Sequence, residues 1–158
     1  MNQEPNIIAE TATPIGTPVR QVSVFLQNRV GSLMALVKLL GDHSIEVLGL
    51  SVQESTELTL VRLILSDPES TDTLFIEKGI PHTVVPIVAV EIREDRSTLA
   101  ECLGALLAAE INIHFSYPLL TRPYSHAVLI LHVEDTDMAA DVLHRAGFRI
   151  LMQGDLSR

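Results

Sequence analysis

Cysteine is nearly missing from this chain, and tryptophan is missing altogether. The single cysteine, Cys102, cannot close an intramolecular disulfide, so packing must hold the fold and a reducing cytoplasm is the natural setting. Aromatic residues make up 4% of the 158 residues, too few for a base-stacking platform. Basic residues are outnumbered by acidic ones, 11 against 20, for a formal net charge of −9. That balance disfavours nucleic acid and anionic membranes, where a basic patch supplies most of the affinity. No apolar run reaches the ~18 residues of a membrane span. The N-terminus has no basic start ahead of an apolar core, so it does not read as a secretory signal.

Catalytic signatures are missing too. The chain has no Gly-x-x-x-x-Gly-Lys, Gly-x-Ser-x-Gly or Gly-x-Gly-x-x-Gly motif. Its histidines are His43, His82, His114, His126, His132 and His144. Three of them, His114, His126 and His132, fall on neighbouring expected strands, but no His-x-x-x-His or Cys-x-x-Cys spacing supports a metal site. Asp95, Asp135 and Asp137 stand near helix starts, where carboxylates are favoured without a catalytic role. The reading is therefore of a non-enzyme, with no metal and no cofactor.

What the chain has is apolar pattern. Hydrophobic residues make up 47% and charged residues 20%, which is a globular composition. Residues 1–20 are rich in Thr, Pro and Asn with little periodicity and read as a flexible tail. From Gln21, Val22, Val24 and Leu26 alternate with polar neighbours as in a half-buried strand, and Leu33, Leu36, Val37 and Leu40 recur at helical spacing. Residues 45–53 and 59–65 read as a hairpin across a polar turn. Asp67 before Pro68 suits an N-cap and first helical position, and Gly79 suits a stop. Residues 82–90 are extended, with Pro86 marking the join between two strands.

The pattern then repeats. Val22, Val24, Leu26, Leu33, Leu40, Ile45 and Val47 recur 66 residues on as Val88, Val90, Ile92, Leu99, Leu106, Ile111 and Ile113. The offset drifts to 68 by Gly79 and Gly147. An offset held across strand, helix and hairpin marks two copies of one unit, residues 21–86 and 87–158. In the second, Leu99, Cys102, Leu103 and Leu106 form the helical stripe, which makes Cys102 a buried small hydrophobe. Each unit is βαββαβ, so the fold class is α+β: a ferredoxin-like arrangement duplicated in tandem, with antiparallel sheets and helices on one face. Continuing the two sheets edge to edge would protect their exposed strand edges.

A βαββαβ unit with Asn28-Arg29-Val30-Gly31-Ser32-Leu33 at its first strand–helix turn resembles the ACT domain. That family's turn is typically Asp or Asn, Arg or Lys, Pro, Gly, a small residue and an apolar one; Val30 replaces the Pro here. The duplication is similar to small stand-alone tandem ACT proteins. The resemblance implies an amino-acid-binding regulator of a metabolic enzyme, and a homodimer is expected. In side-by-side pairs of such domains the ligand lies between the turn of one unit and the second strand of the other. Carried onto this chain, the amides of Val30, Gly31, Ser32 and Leu33 would hold the ligand carboxylate, at the positive end of a helix. Asn28 would orient the amino group, and Arg29 would stay in solvent or attract the anion. Asn112, His114 and Ser116 would supply polar contacts, depending on which face their strand presents.

The second turn departs from the motif, with Glu94, Asp95, Arg96 and Ser97 in place of Asn28, Arg29, Val30 and Gly31. Two carboxylates stand where an incoming carboxylate would approach, so this turn reads as structural, with Ser97 or Thr98 as a cap and Glu101 completing a box. The alternative is an assembly subunit that docks on a catalytic partner without its own ligand, as the regulatory subunit of acetolactate synthase does.

Overall fold

The computed structural model describes residues 16–156, apart from Ser97. The first unit runs β1 (Arg20–Gln27), α1 (Ser32–Asp42), β2 (Val47–Glu54), β3 (Leu58–Leu65), α2 (Pro68–Lys78) and β4 (His82–Pro86). The second runs β5 (Val88–Ile92), α3 (Thr98–Ala108), β6 (Ile113–Pro118), β7 (Ala127–Val133), α4 (Thr136–Arg145) and β8 (Ile150–Leu151), and a short α5 (Gln153–Leu156) follows. The sheets have matching antiparallel orders, β2-β3-β1-β4 and β6-β7-β5-β8. This is the duplicated βαββαβ layout expected from the offset.

The helix boundaries follow local chemistry. Asp67 accepts the Ser70 amide at 2.9 Å, Pro68 occupies the first turn, and Gly79 closes α2 at φ +66°. Asp135 does the same for α4 through the Met138 amide. The Ser97 cap expected for α3 lies outside the described residues.

Three apolar layers hold the molecule. In the first unit, Val22, Val24, Val61 and Leu63 of the sheet pack on Leu36, Leu40 and Phe75 of the helices. In the second, Val88, Val90 and Leu131 pack on Cys102, Leu106 and Leu143. The third layer lies between the sheets, where Val19, Leu48 and Ile64 meet Ala89, Tyr117, Val128, Ile130 and Leu151. The sheets therefore stack face to face, and the edge-to-edge continuation within one chain does not occur. The physical reason is that the helix-free face of each sheet also carries apolar side chains, Leu48 and Ile64 on the first and Ala89, Val128 and Ile130 on the second, and must be buried. Along β1, Val22 and Val24 face the helices while Gln21 and Ser23, also buried, face the other sheet.

One polar pair crosses this layer. The Tyr117 hydroxyl donates to Gln21 Oε1 at 2.6 Å, and Gln21 Nε2 donates to Ser23 Oγ at 3.3 Å. Burial pushes the Tyr117 phenol well above its usual pKa, against the nearby Arg62 charge, so the hydroxyl remains a donor. At one border Leu120 N–H donates to Leu48 O at 2.8 Å. There Gly49 lets the units touch, since a Cβ at this position would lie 2.7 Å from Leu119 Cδ2.

At the opposite border the chain before β1 is fastened to the second unit. Pro18 bridges Met152, Gln153 N–H donates to Thr17 O at 2.9 Å, and Ile87 N–H donates to Val19 O at 3.0 Å. Val19 is fully buried. Residues 17–20 thus form a strap rather than the end of a tail; the rest of the expected tail, residues 1–15, lies outside the described residues. Their Thr and Pro content concealed one apolar side chain placed to fill the inter-sheet layer.

We expect Tyr117→Phe to cost about 1–3 kcal/mol in urea denaturation, because it leaves the buried Gln21 oxygen without its donor. Gln21→Leu added to that variant should recover part of the loss, since both polar groups are then gone.

Candidate functional site

The turn between β1 and α1 is built from backbone. Arg29 N–H donates to Gln27 O at 2.8 Å, Ser32 N–H to Arg29 O at 3.2 Å, and Ala35 N–H to Gly31 O at 2.9 Å. Gly31 sits at φ +86°, a left-handed conformation that a side chain would strain. No side chain caps α1, and its first turn carries no acid. By contrast α2, α3 and α4 carry Glu69, Glu101 and Asp137 in theirs. The positive end of α1 is therefore the least compensated of the four. Beside it lies a cavity of about 350 Å³ lined by Leu26, Arg29, Ser32, Leu36, Leu39 and Ile80, among others. Val30 is fully exposed, and Leu33 packs against the helix-side core.

Asn28 is committed to its own hairpin. Its Nδ2 donates to Ser55 O at 3.1 Å and to Glu54 Oε1 at 3.4 Å, and its Oδ1 accepts the Thr59 hydroxyl. The side chain thus ties the turn to the β2–β3 connection. Its carbonyl keeps one further lone pair for a ligand.

Asn112, His114 and Ser116 are not brought to this turn. All three are exposed, and none lines the turn cavity. Asn112 lines a different cavity, of about 580 Å³, with Glu110, Glu134 and Asp135. His114 lies beside His132, ring centroids 5.4 Å apart. The cause is the face-to-face stacking, which sets β6 in the layer opposite the turn of its own chain. Sequence reasoning also missed a stack across that layer. The Arg62 guanidinium lies 3.7 Å from the Phe115 ring centre, and His132 stacks on Phe115 at 4.6 Å. Periodicity gives no signal for such a contact, since it depends on how the sheets are superposed.

The second turn keeps the backbone and changes the chemistry. Asp95 N–H donates to Arg93 O at 2.8 Å and Thr98 N–H to Asp95 O at 3.2 Å, matching Arg29 and Ser32 one offset earlier. Glu94, standing in for Asn28, pairs with Arg122 at 2.7 Å.

A family model described as an ACT domain pair matches residues 17–158. The chain belongs to that family. Among solved ACT-like structures, protein BT0572 from Bacteroides thetaiotaomicron is similar at TM-score 0.81 and 22% identity, covering 90% of this chain and 97% of that one. The ligand-free regulatory subunit of aspartate kinase from Thermus thermophilus is similar at TM-score 0.56 and 13% identity, covering 85% and 95%. At these identities the likeness is one of fold. No curated protein matches the sequence. ACT domains are regulatory. Among the described residues no group of three or more His, Cys, Asp or Glu is placed to hold a metal ion. No helix among those residues is long and apolar enough to cross a membrane.

His132 gives this ACT pair a pH signature. Burial first, then the neighbouring His114 and Arg62, hold its pKa below the usual histidine value. The unfolded chain therefore binds this proton more tightly than the folded one. The stabilisation is complete above the unfolded value of about 6.5 and declines as pH falls from there through the lower folded value. We expect wild-type stability minus that of His132→Leu to decline over that window when urea midpoints are measured from pH 8 to pH 5.

Proposed function

We propose that this ACT domain pair is a non-catalytic regulatory protein. It binds a small amino acid at the Asn28–Leu33 turn, and a second copy of the chain supplies the opposing wall. The observation that carries the reading is the uncapped, acid-free start of α1 beside a glycine that leaves room for an anion. A ligand α-carboxylate would take the amides of Gly31 and Leu33, the Ser32 amide being bonded to Arg29 O, with the Arg29 side chain adding attraction. The ammonium group would reach the remaining lone pair of Asn28 Oδ1.

A homodimer answers the missing wall. β2 and β6 are outer strands of their sheets; β6 presents exposed His114 and Ser116, and exposed Asn112 stands just before it. On the helix layer, α1 exposes Met34 and Val37, and α3 exposes Leu99, Leu103 and Leu107, four residues apart. Pairing β2 of one copy with β6 of another continues each sheet, covers both edges and brings the apolar helix faces together. A ligand held between two copies favours the docked state over a loosened one, and such differential affinity is what transmits a signal. A metabolic enzyme is the natural recipient, in a cytoplasmic setting. The solved aspartate kinase relative is itself named a regulatory subunit.

The exposed α3 stripe also favours a second reading, in which that face docks on a catalytic partner and no amino acid binds. Calorimetry of the purified chain against the twenty amino acids, together with its mass in solution, separates the two. Saturable binding by a dimer supports the sensor. A monomer without ligand that co-purifies with an enzyme supports the assembly subunit.

With a ligand in hand, Gly31→Asp should weaken binding more than a hundredfold, because it adds a Cβ and a carboxylate where the anion sits. Glu94→Ala, in the second turn at the place of Asn28, should leave affinity unchanged. At a hundredfold excess over the dissociation constant, ligand should add about 2.7 kcal/mol of stability. Amide exchange should slow in residues 112–117 as well as 28–36; protection confined to the turn would remove the second copy from the site.

A further inference from the structure

The two units differ where their second helix meets their last strand. In the first, His82 Nε2 bonds Asp72 Oδ1 at 2.6 Å, and the His82 ring stands edge-on to Phe75 at 5.3 Å. These groups latch α2 to β4 and fill the space between them. At the offset of 68 that relates these segments, Asp72, Phe75 and His82 become Ala140, Leu143 and Ile150. The register confirms the match, since His82 pairs with Val24 and Ile150 with Val90. The second unit has no polar latch here, and Ala140 is shorter than the Asp72 it stands in for. A cavity of about 400 Å³ stands there, walled by Val88, Ala140, Ile150 and Met152 and flanked by Pro18 of the strap.

We propose that this cavity is a second small-molecule site, separate from the turn, and that it takes a small apolar amine. Its volume falls in the range of small-ligand pockets, and like them it has apolar walls with few polar groups. Those groups are Thr136 and Asp137, from the first turn of α4. The chemistry selects the sign of the ligand. The Met138 amide, which an anion would seek at this helix start, is already taken by Asp135. With Asp137 lining the cavity and Asp135 at the cap of the same helix, a ligand acid is repelled and an ammonium group is attracted. The apolar body would lie against Ala140, Ile150 and Met152, and the ammonium would reach Asp137. Because Gly16 and Pro18 come from the chain ahead of β1 and the other walls from the second unit, the bound amine would also hold the strap down.

The test uses the full chain carrying ¹³C-methyl labels on isoleucine and methionine, titrated with 2-phenylethylamine. Saturable shifts are expected at the Ile87, Ile150 and Met152 methyls. Phenylacetate, with the same ring and the opposite charge, should bind at least tenfold more weakly. Asp137→Asn, an exposed change that the fold tolerates, should weaken the amine roughly five- to tenfold and leave 2-phenylethanol unchanged. Ala140→Leu fills the cavity and should abolish the shifts while the other methyl resonances stay dispersed. The proposal fails if no saturable shift occurs at these methyls, if phenylacetate binds as tightly as the amine, or if both variants keep wild-type affinity. None of these readouts involves the turn, so loss of the amino-acid reading leaves this test intact.

Discussion

Everything in this molecule depends on the apolar layer between its two sheets. A ferredoxin-like unit has one sheet face covered by helices and one bare. Here each unit covers the bare face of the other, through Val19, Leu48 and Ile64 on one side and Ala89, Val128 and Ile130 on the other. The arrangement explains why β3 and β7 carry branched apolar residues on both faces, Leu63 and Ile64 in one and Ile130 and Leu131 in the other. Gln21 and Tyr117 satisfy each other, and a buried pair of that kind fixes how the sheets superpose, since sliding one sheet would leave both groups unpaired.

The units were readable from the sequence because their signals are local and periodic. The alternation of Val22, Val24 and Leu26, the Asp67-Pro68 start and the Gly79 stop each follow from a few neighbouring residues. The duplication was readable because the same signals recur at a fixed offset. The relation between the units was not. Nothing in the spacing of Ala89, Tyr117 and Ile130 says whether their face meets the partner sheet or solvent. For the same reason the turn at Asn28–Leu33 stood out, whereas its separation from Asn112, His114 and Ser116 of the same chain did not. The strap was missed because Val19 is a single apolar residue among Thr, Gly and Pro, and a single residue has no period.

Duplication left the two units free to diverge in chemistry while sharing a backbone. The two first turns donate the same backbone hydrogen bonds, but one exposes an uncompensated helix start and the other holds a Glu94–Arg122 pair. The last strands pair with β1 and β5 in the same register, but one carries His82 against Asp72 and the other Ile150 beside a cavity. Backbone hydrogen bonds in a sheet tolerate almost any side chain, so the frame persisted while the side chains between frame and helices changed.

The bridge between Pro18 and Met152 sets the beginning of β1 beside the end of β8. Among the described residues the chain is consequently almost a closed ring, the approach to β1 and the exit from β8 meeting at one border of the sheet stack. Its order along the sequence is then partly arbitrary. A short linker across that border, with a new opening cut in the polar turn at residues 55–57, would give a circular permutant with every strand pairing preserved. What such a permutant could not dispense with is Val19, because the closure of the ring is also the closure of the core.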